Sequence, residues 1–331
     1  MTAPIGILYE HPEWFIPLFE ALDELGTPYE RILVHEHHFD PALHPPPYQL
    51  VVNRMSPSAY LRGHGSGIFY TVSYLAYLEA HGVAVINGSN AYQIEISKAR
   101  QLTLFEQVGV RYPRARVINH PAQALLAASG LRYPLIIKPN IGGSGARIQR
   151  FDTPEALQEA ATAGKIDLGI DQTALVQEYL PAREGCIVRV EVLDHAFLYA
   201  IKVYPNPDSG FNLCPADICQ VGTTPAMPTG ASDNIVANYL AHPTEKPGLR
   251  IEPYTPPPAV IDQVLALARQ AHLDVGGIEY LVNDQDGEPY FYDVNALSNF
   301  VTAAEQIVGF NPYARLAAYI TRRAKLAGAA V

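Results

Sequence analysis

Apolar residues in the first 96 positions change between strand-like and helix-like spacing along the chain. Residues 5–9 form a short apolar run, which predicts a buried strand, and residues 14–25 carry apolar side chains at helical intervals. Further strands are predicted at 29–34, 50–53 and 83–87, and a further helix at 69–80. Because strands that alternate with helices favour a parallel sheet, this pattern predicts an N-terminal α/β domain over residues 1–96.

A different pattern begins at Ser97, a good N-cap for a helix over 98–108 that ends at Gly109. Strands are predicted at 115–118, 135–138, 146–151 and 174–179, with helices over 122–128 and from 153 onward. This mixture of helices and antiparallel strands is not typical of a doubly wound fold. It predicts a central domain over residues 97–183.

Residues 184–331 are predicted to form a third domain. Valines at every second position from 188 to 192 alternate with charged side chains, which predicts a half-buried strand. A second strand is predicted at 197–204, a proline-rich irregular segment at 205–258, and helices at 259–271 and 312–327. The fold class predicted for the whole chain is α/β, in the α+β sense.

Composition narrows the classes of protein that fit this pattern. The 331 residues are 48% hydrophobic and 17% charged, which allows two or three domains with hydrophobic cores. The net charge of −10 argues against nucleic-acid binding, which needs a basic surface. Three cysteines do not make a disulfide framework, and Cys214 and Cys219 lack further ligands at zinc spacing. Without a signal peptide or a bilayer-spanning run, the protein is expected to be cytoplasmic and away from membranes.

The chemistry of the third domain centres on a predicted hairpin. Asp293 and Asn295 are two residues apart on one strand, so their side chains share a face, and Glu279 lies on the preceding strand. Two carboxylates and an amide oxygen are hard ligands that suit Mg²⁺ beside a nucleotide phosphate. The alternative is a structural salt-bridge cluster, because Arg189 and Lys202 lie on neighbouring predicted strands.

A glycine-rich loop follows the strand that ends at Lys138. Gly142, Gly143 and Gly145 would let backbone N–H groups approach a polyanion, and the lysine places a cation where phosphates would lie. The loop is neither a Walker A sequence nor the start of a Rossmann unit. The alternative is a tight hairpin turn.

Four further candidates each have a plain alternative. Lys98 is either functional or a solvated surface lysine, and the strand end at 177–180 either pairs with an adenine or simply ends. Arg54 follows a strand whose end would face a cleft, so it either binds a substrate carboxylate or lies on the surface. The histidine-rich stretch at 35–38 is either a transition-metal cluster or a solvent loop, and we favour the loop.

Taken in order, these candidates resemble the ATP-grasp superfamily, and the chain is most similar to RimK-like carboxylate–amine ligases. The resemblance covers most of the chain from about residue 50 onward. It implies an ATP-grasp fold with an N-terminal parallel-sheet domain, a central lid domain and a C-terminal antiparallel-sheet domain. ATP would bind between the last two.

The resemblance also implies roles for individual residues. ATP would be bound by Lys98 and Lys138 at its phosphates, by the loop Gly142, Gly143, Ser144 and Gly145, and by the adenine hinge Gln177, Glu178, Tyr179 and Leu180. Mg²⁺, or Mn²⁺ in its place, would be held by Glu279, Asp293 and Asn295. Arg189 and Lys202 would stabilise an acyl phosphate and the tetrahedral intermediate.

The sequence departs from the family pattern in three places. Ile187 stands where relatives often carry an acidic residue for the ribose, and Glu184 is the nearest substitute. Asp293 stands where Glu is commoner, which leaves open whether it holds one metal ion or bridges two. The segment 205–258, with Asn212 as a candidate substrate residue, differs from the usual substrate loop.

The implied activity is an ATP- and Mg²⁺-dependent ligation of a carboxylate to an amine, with release of ADP and phosphate. The partners would be amino acids or peptides, and the family makes a homodimer an option. Two alternatives remain open: an ATP-grasp kinase that phosphorylates a small molecule, and a nucleotide-binding protein without catalysis.

Overall fold

The structure is a computed structural model that describes residues 3–42, 46–143, 145–205, 211, 213 and 249–329. Four positions named above, Ser144, Asn212, Cys214 and Cys219, lie outside the described residues. The strands of the described residues form three sheets. Within the same residues, no helix is long and apolar enough to cross a membrane.

The first sheet is parallel, as predicted, because short apolar strands alternate with helices. Its strands are β1 (Ile5–Tyr9), β2 (Tyr29–Leu33), β3 (Leu50–Arg54) and β4 (Ala84–Ile86), in the order β2-β1-β3-β4. The helices are α1 (Ile16–Glu24), α2 (Gly65–Ala80) and α3 (Ser89–Glu95). Helix α2 begins four residues before the predicted start, and α3 was not predicted.

The second sheet is antiparallel, with the order β5-β8-β6-β7. Its strands are β5 (Ala115–Ile118), β6 (Leu135–Pro139), β7 (Gln149–Phe151) and β8 (Ala174–Glu178), and the helices are α4 (Lys98–Val108), α5 (Ala124–Ala128) and α6 (Pro154–Thr162). The predicted ends of α4 are confirmed, since the Ser97 side chain accepts a hydrogen bond from the Arg100 N–H and Gly109 has a φ of +77°.

The third sheet is antiparallel, with the order β11-β10-β9-β12-β13. Its strands are β9 (Ile187–Leu193), β10 (Ala196–Tyr204), β11 (Arg250–Tyr254), β12 (Val275–Val282) and β13 (Pro289–Asn295). The helices are α7 (Pro258–Gln270), α8 (Ala304–Val308) and α9 (Pro312–Ala329). Strand β11 corrects the prediction that all of 205–258 is irregular, because it pairs along β10 from Arg250 to Tyr254.

Both faces of the third sheet are buried. On one face, Leu104 and Phe105 of α4 share a hydrophobic core with Val190 and Val264, so α4 packs on this sheet although its sequence position is in the predicted central domain. The core on the other face joins α9 to α1 and to β1 of the first sheet. The hairpin β12–β13, which carries the metal ligands predicted from the sequence, is therefore held in a sheet that packs on both sides.

Candidate functional site

A cavity of about 750 Å³ opens between the second and third sheets. Its walls contain most of the residues predicted for the nucleotide and the metal. They are Lys98, Lys138, Gly142, Gly143, Gly145, Gln177, Glu178, Tyr179, Leu180, Arg189, Glu279, Asp293 and Asn295. The first sheet's domain also contributes a wall, which the sequence did not predict: Trp14, Ser56, Ser58 and Glu95.

The hairpin register brings the predicted metal ligands together. Glu279 on β12 lies directly opposite Asp293 on β13, and Gly277 lies opposite Asn295, with a register shift just after Glu279. The Nδ2 atom of Asn295 is buried and has no hydrogen-bond partner among the described residues. Burial raises the pKa of Glu279, and the nearby Asp293 carboxylate adds to the effect. Two crowded carboxylates beside the side-chain amide of Asn295, whose oxygen is a hard ligand, fit a divalent cation bound through oxygen.

Two lysines reach this hairpin from α4 and β6. Lys98 Nζ donates to Asp293 Oδ1 at 2.6 Å, and Lys138 Nζ donates to the Tyr292 carbonyl at 3.3 Å. Burial lowers the pKa of Lys138 to about 7, and the neighbouring Lys98 charge contributes. For Lys98, burial alone would lower the pKa, but the attraction of Asp293 outweighs it and the pKa is raised. The same two lysines hold the pKa of Asp293 below its usual range against the effect of burial.

The guanidinium of Arg189 lies in the cavity wall and is held on several sides. Its Nε donates to Glu191 Oε1 at 2.6 Å, its Nη1 to Glu279 Oε1 at 2.8 Å and its Nη2 to Ser298 Oγ at 2.7 Å. The sequence alternative of a salt-bridge cluster is therefore present in part. Arg189 takes part in this salt-bridge cluster and also lines the cavity.

The glycine loop lies against the N-terminal domain. A Cβ added at Gly143 would meet the Cβ of Ser58 at 3.1 Å, so the missing side chain permits the close approach. Beyond the loop, the guanidinium carbon of Arg147 lies 5.2 Å from the Tyr60 ring centroid. The base of the loop is tied to α4, because the Lys98 N–H donates to the Asn140 carbonyl at 3.2 Å. Residues that pack with each of the three sheets therefore border the cavity.

The predicted adenine hinge ends strand β8. Gln177 and Glu178 are buried, and the Glu178 carboxylate accepts hydrogen bonds from Arg132 at 2.9 Å and 3.1 Å. Tyr179 is partly exposed, and the guanidinium carbon of Arg150 lies 4.7 Å from its ring centroid. The backbone N–H groups of Glu178 and Tyr179 donate to the carbonyls of Arg114 and Pro134, each at 2.9 Å, so the adenine role of this segment stays a prediction.

Arg54 is in a position that differs from the predicted one. It is only 1% exposed, is not part of the cavity wall, and donates to the carbonyls of Ala296 at 3.3 Å and Ser298 at 2.5 Å. The expectation that it binds a substrate carboxylate is corrected to an anchoring role. Asn87 and Glu95 anchor the same segment, through the carbonyl and the N–H of Ala296 respectively. Three residues that precede α4 in the chain therefore hold the segment that directly follows β13.

Lys202 and Glu184 neutralise each other. Lys202 Nζ donates to Glu184 Oε2 at 2.6 Å, and neither residue belongs to the cavity wall. The hydrogen bond raises the pKa of Lys202 and lowers the pKa of Glu184. Ile187, where an acidic ribose ligand was expected, does line the cavity. The catalytic role of Lys202 and the ribose role of Glu184 gain no support from this geometry.

The histidine-rich stretch does not assemble a metal centre. His35 stacks on His64 with ring centroids 4.1 Å apart, and His37 Nδ1 is 2.9 Å from the Tyr70 hydroxyl. Across the described part of the chain, no group of three or more His, Cys, Asp and Glu side chains could hold a metal ion. The magnesium proposal therefore depends on the two carboxylates and the amide of the hairpin.

Comparisons with known proteins agree with this geometry. Residues 96–212 match the family model of the RimK-like ATP-grasp domain. A probable alpha-L-glutamate ligase 2 from Shewanella frigidimarina is 25% identical over 171 residues, which cover 47% of this chain and 56% of that protein. The chain thus spans about half the length of this curated relative.

Solved structures share the fold over nearly the whole chain. The D-cycloserine synthetase DcsG aligns with a TM-score of 0.65 at 17% identity. The alignment covers 97% of this chain and 99% of the DcsG chain. The ATP-grasp ligase PsnB, complexed with a phosphomimetic variant of a minimal precursor, Mg and ADP, has a TM-score of 0.64 at 18% identity and covers 98% and 100%. At this identity the likeness establishes the fold.

Proposed function

We propose that this protein is an ATP- and Mg²⁺-dependent ligase that joins a carboxylate to an amine. The match of residues 96–212 to the RimK-like ATP-grasp domain and the fold shared with ATP-grasp ligases support this proposal. The observation that carries the proposal is one cavity that contains both lysines, Lys98 and Lys138, together with Glu279 and Asp293. Cations for phosphate groups and oxygen ligands for a divalent metal are the two requirements of phosphoryl transfer. The names of the relatives add support for ligation.

In this proposal ATP lies between the second and third sheets. The adenine contacts the strand end at 177–180, and the phosphates face Lys98 and Lys138. Glu279, Asp293 and Asn295 hold Mg²⁺, which when bound neutralises phosphate charge. Mn²⁺ would substitute, since it also accepts carboxylate and carbonyl oxygen.

The chain's own residues then serve two chemical steps. A carboxylate oxygen of the substrate attacks the γ-phosphorus of ATP, ADP leaves, and an acyl phosphate forms. The lone pair of the amine attacks the acyl carbon, the amine loses a proton, and phosphate leaves with the electrons of the C–O bond. Arg189, fixed in the cavity wall, stabilises the charge on the acyl phosphate and the tetrahedral oxyanion.

The substrate end of the cavity is enclosed by Trp14, Ser56 and Ser58 of the N-terminal domain. These residues are only 3–5% exposed, and a buried wall on this side of the cavity would help to keep bulk water from a reactive acyl phosphate. The hydroxyl pair Ser56–Ser58, 2.8 Å apart, supplies donors and acceptors for polar substrate groups. We propose an amino acid or a peptide as the substrate class.

The proposal is tested by measuring ADP release over pairs of amino acids and small carboxylates, with the product identified by mass. Asp293→Ala is expected to abolish turnover. Asp284→Ala is the matched control, because Asp284 lies on the turn of the same hairpin with its side chain 65% exposed.

Each alternative outcome has a distinct meaning. Release of AMP and diphosphate would refute the acyl-phosphate route. A phosphorylated product without free phosphate would mean a kinase. An absence of turnover with every pair would favour a nucleotide-binding protein without catalysis.

A further inference from the structure

Arg189 is held by a set of three side chains that we call the arginine cradle: Glu191, Ser298 and Glu279. The cradle comes from three separate segments, β9, β12 and the turn after β13. Ser298 Oγ also donates to Glu191 Oε1 at 2.7 Å, which links two members of the cradle. The guanidinium is therefore fixed in orientation and in position.

A glycine makes the space that this arrangement needs. Gly277 on β12 lies opposite Glu191 on β9. A Cβ at 277 would lie 2.8 Å from Arg189 Nε, 2.9 Å from Arg189 Nη2 and 2.9 Å from Glu191 Oε1. Such distances are closer than real Cβ contacts, so any side chain at this position would displace the Arg189–Glu191 pair.

Stability alone does not account for Glu191. The residue is 1% exposed, and its Oε2 atom is buried without a hydrogen-bond partner among the described residues. An unsatisfied buried oxygen is unfavourable, and buried ion pairs are weak evidence for stability. This cost is found at a residue that contacts Arg189, an arginine of the cavity wall that also donates to Glu279 on the β12–β13 hairpin.

The three members of the cradle differ in what else they do. Glu279 is a proposed metal ligand, so its carboxylate would serve both the metal and Arg189. Ser298 offers a neutral hydroxyl, and its carbonyl is anchored by Arg54 at 2.5 Å. Glu191 is the charged member with no proposed second duty.

We propose that Glu191 is a positioning residue that holds Arg189 at the angle needed to meet an anionic acyl phosphate. The role given to Arg189 rests on the proposed ligase function. The claim that Glu191 orients Arg189 rests on the geometry of the arginine cradle. A flexible arginine would lose rotational freedom on each turnover, whereas a fixed one is already oriented. Glu191 acts through Arg189 and does not itself line the cavity.

The test uses free guanidinium as a probe of the cradle. In Arg189→Ala, guanidinium chloride at millimolar concentration should raise the thermal midpoint, because the emptied cradle binds the ion. In Arg189→Ala/Glu191→Gln, the apparent dissociation constant for guanidinium should rise by about tenfold or more, since the charged acceptor is gone. Arg189→Ala/Asp274→Asn is the control, because Asp274 is a buried carboxylate that pairs with Arg323 outside the cradle.

Two results would overturn the inference. One is the same guanidinium affinity with and without the Glu191 carboxylate, and the other is no stabilisation of Arg189→Ala at all. Neither readout needs turnover, so the result stands apart from the fate of the ligase proposal.

Where ligation is observed, the single variant Glu191→Gln gives a second readout. We expect its kcat to fall by about tenfold or more while the KM for ATP stays unchanged, because the misplaced group serves the transition state. Guanidinium should restore activity to Arg189→Ala but not to Arg189→Ala/Glu191→Gln. If Glu191→Gln instead lowers both kcat and the thermal midpoint, and guanidinium restores activity equally to both Arg189→Ala variants, Glu191 has only a structural role.

Discussion

Replacing Asp293 by Asn tests the buried charge balance on which the metal site depends. The substitution keeps the size of the side chain and removes its charge. Lys98 Nζ, 2.6 Å from the carboxylate, then loses its partner in a site where the two side chains are only 11% and 21% exposed.

The expected magnitude follows from this distance. At an effective dielectric constant of about 20, unit charges 2.6 Å apart attract by about 6 kcal/mol before desolvation is counted. Breaking a buried pair by removing one partner costs about 3–5 kcal/mol, and the residual exposure favours the lower end, so we expect about 3 kcal/mol. The pKa of Asp293 is lowered in the folded state, so its contribution is present above the unfolded pKa and is lost as the pH falls through the folded pKa. The difference in the free energy of unfolding between Asp293→Asn and the natural chain should therefore become smaller at acidic pH.

Urea unfolding measures this difference, and a second variant isolates its cause. Asp293→Asn should lower the urea midpoint at neutral pH, and Lys98→Gln/Asp293→Asn should recover most of the loss because no unpaired charge remains. Neither variant should turn over ATP. If the double variant is as unstable as Asp293→Asn alone, the Lys98 charge is not the source of the loss and the reasoning is refuted.

Three further predictions concern the cavity wall and the Tyr60–Arg147 contact beside the glycine loop. Burial raises the pKa of Glu95 to about 7, so its stability contribution is complete below the unfolded value of 4.5 and is lost as the pH rises through about 7. Glu95→Gln should therefore gain more in thermal midpoint over the natural chain at about pH 8 than at about pH 5; an equal gain at both would contradict this. The pKa of Lys138 is about 7 and ATP phosphates favour its charged form, so ATP binding at about pH 8 should take up a proton, measured by calorimetry in two buffers. Lys138→Met should abolish that uptake, and an unchanged uptake would place the proton elsewhere. Tyr60→Ala should raise the KM for ATP several-fold because Arg147 loses its ring contact, whereas Tyr60→Phe should not, since the Tyr60 hydroxyl is buried without a partner in the described structure. Equal effects of the two substitutions would contradict a role for the ring.

The parts of the site that could be predicted from the sequence are those set by local periodicity. Asp293 and Asn295 share a strand face because side chains alternate, and a short turn after β12 brings Glu279 opposite Asp293. The ends of α4 followed from Ser97 and Gly109, whose capping preferences act over a single turn.

The parts that the sequence did not reveal depend on partners far along the chain. Arg54 follows a strand in a way that suggests a cleft residue, but its partners are carbonyls more than 240 positions away. Lys202 meets Glu184 because β10 runs back along β9, and that pairing removes the charge expected in the cavity. Glu95 lies on α3, a helix of seven residues with too few periodic positions to predict.

The hydrophobic pattern also could not assign α4 to its packing partner. Leu104 and Phe105 form an apolar face that fits any core, and only the tertiary structure places them against the third sheet. This packing sets Lys98 beside Asp293, so a functional distance depends on an arrangement that local signals do not encode.

The central claim is that this chain activates a carboxylate as an acyl phosphate. Its most direct test is ligation with a substrate whose carboxylate oxygens are labelled with ¹⁸O, followed by mass analysis of the released phosphate. If amine attack expels phosphate from an acyl phosphate, one labelled oxygen should appear in each phosphate and ADP should form in equal amount. Unlabelled phosphate beside a ligated product, or label carried into AMP, would contradict the account.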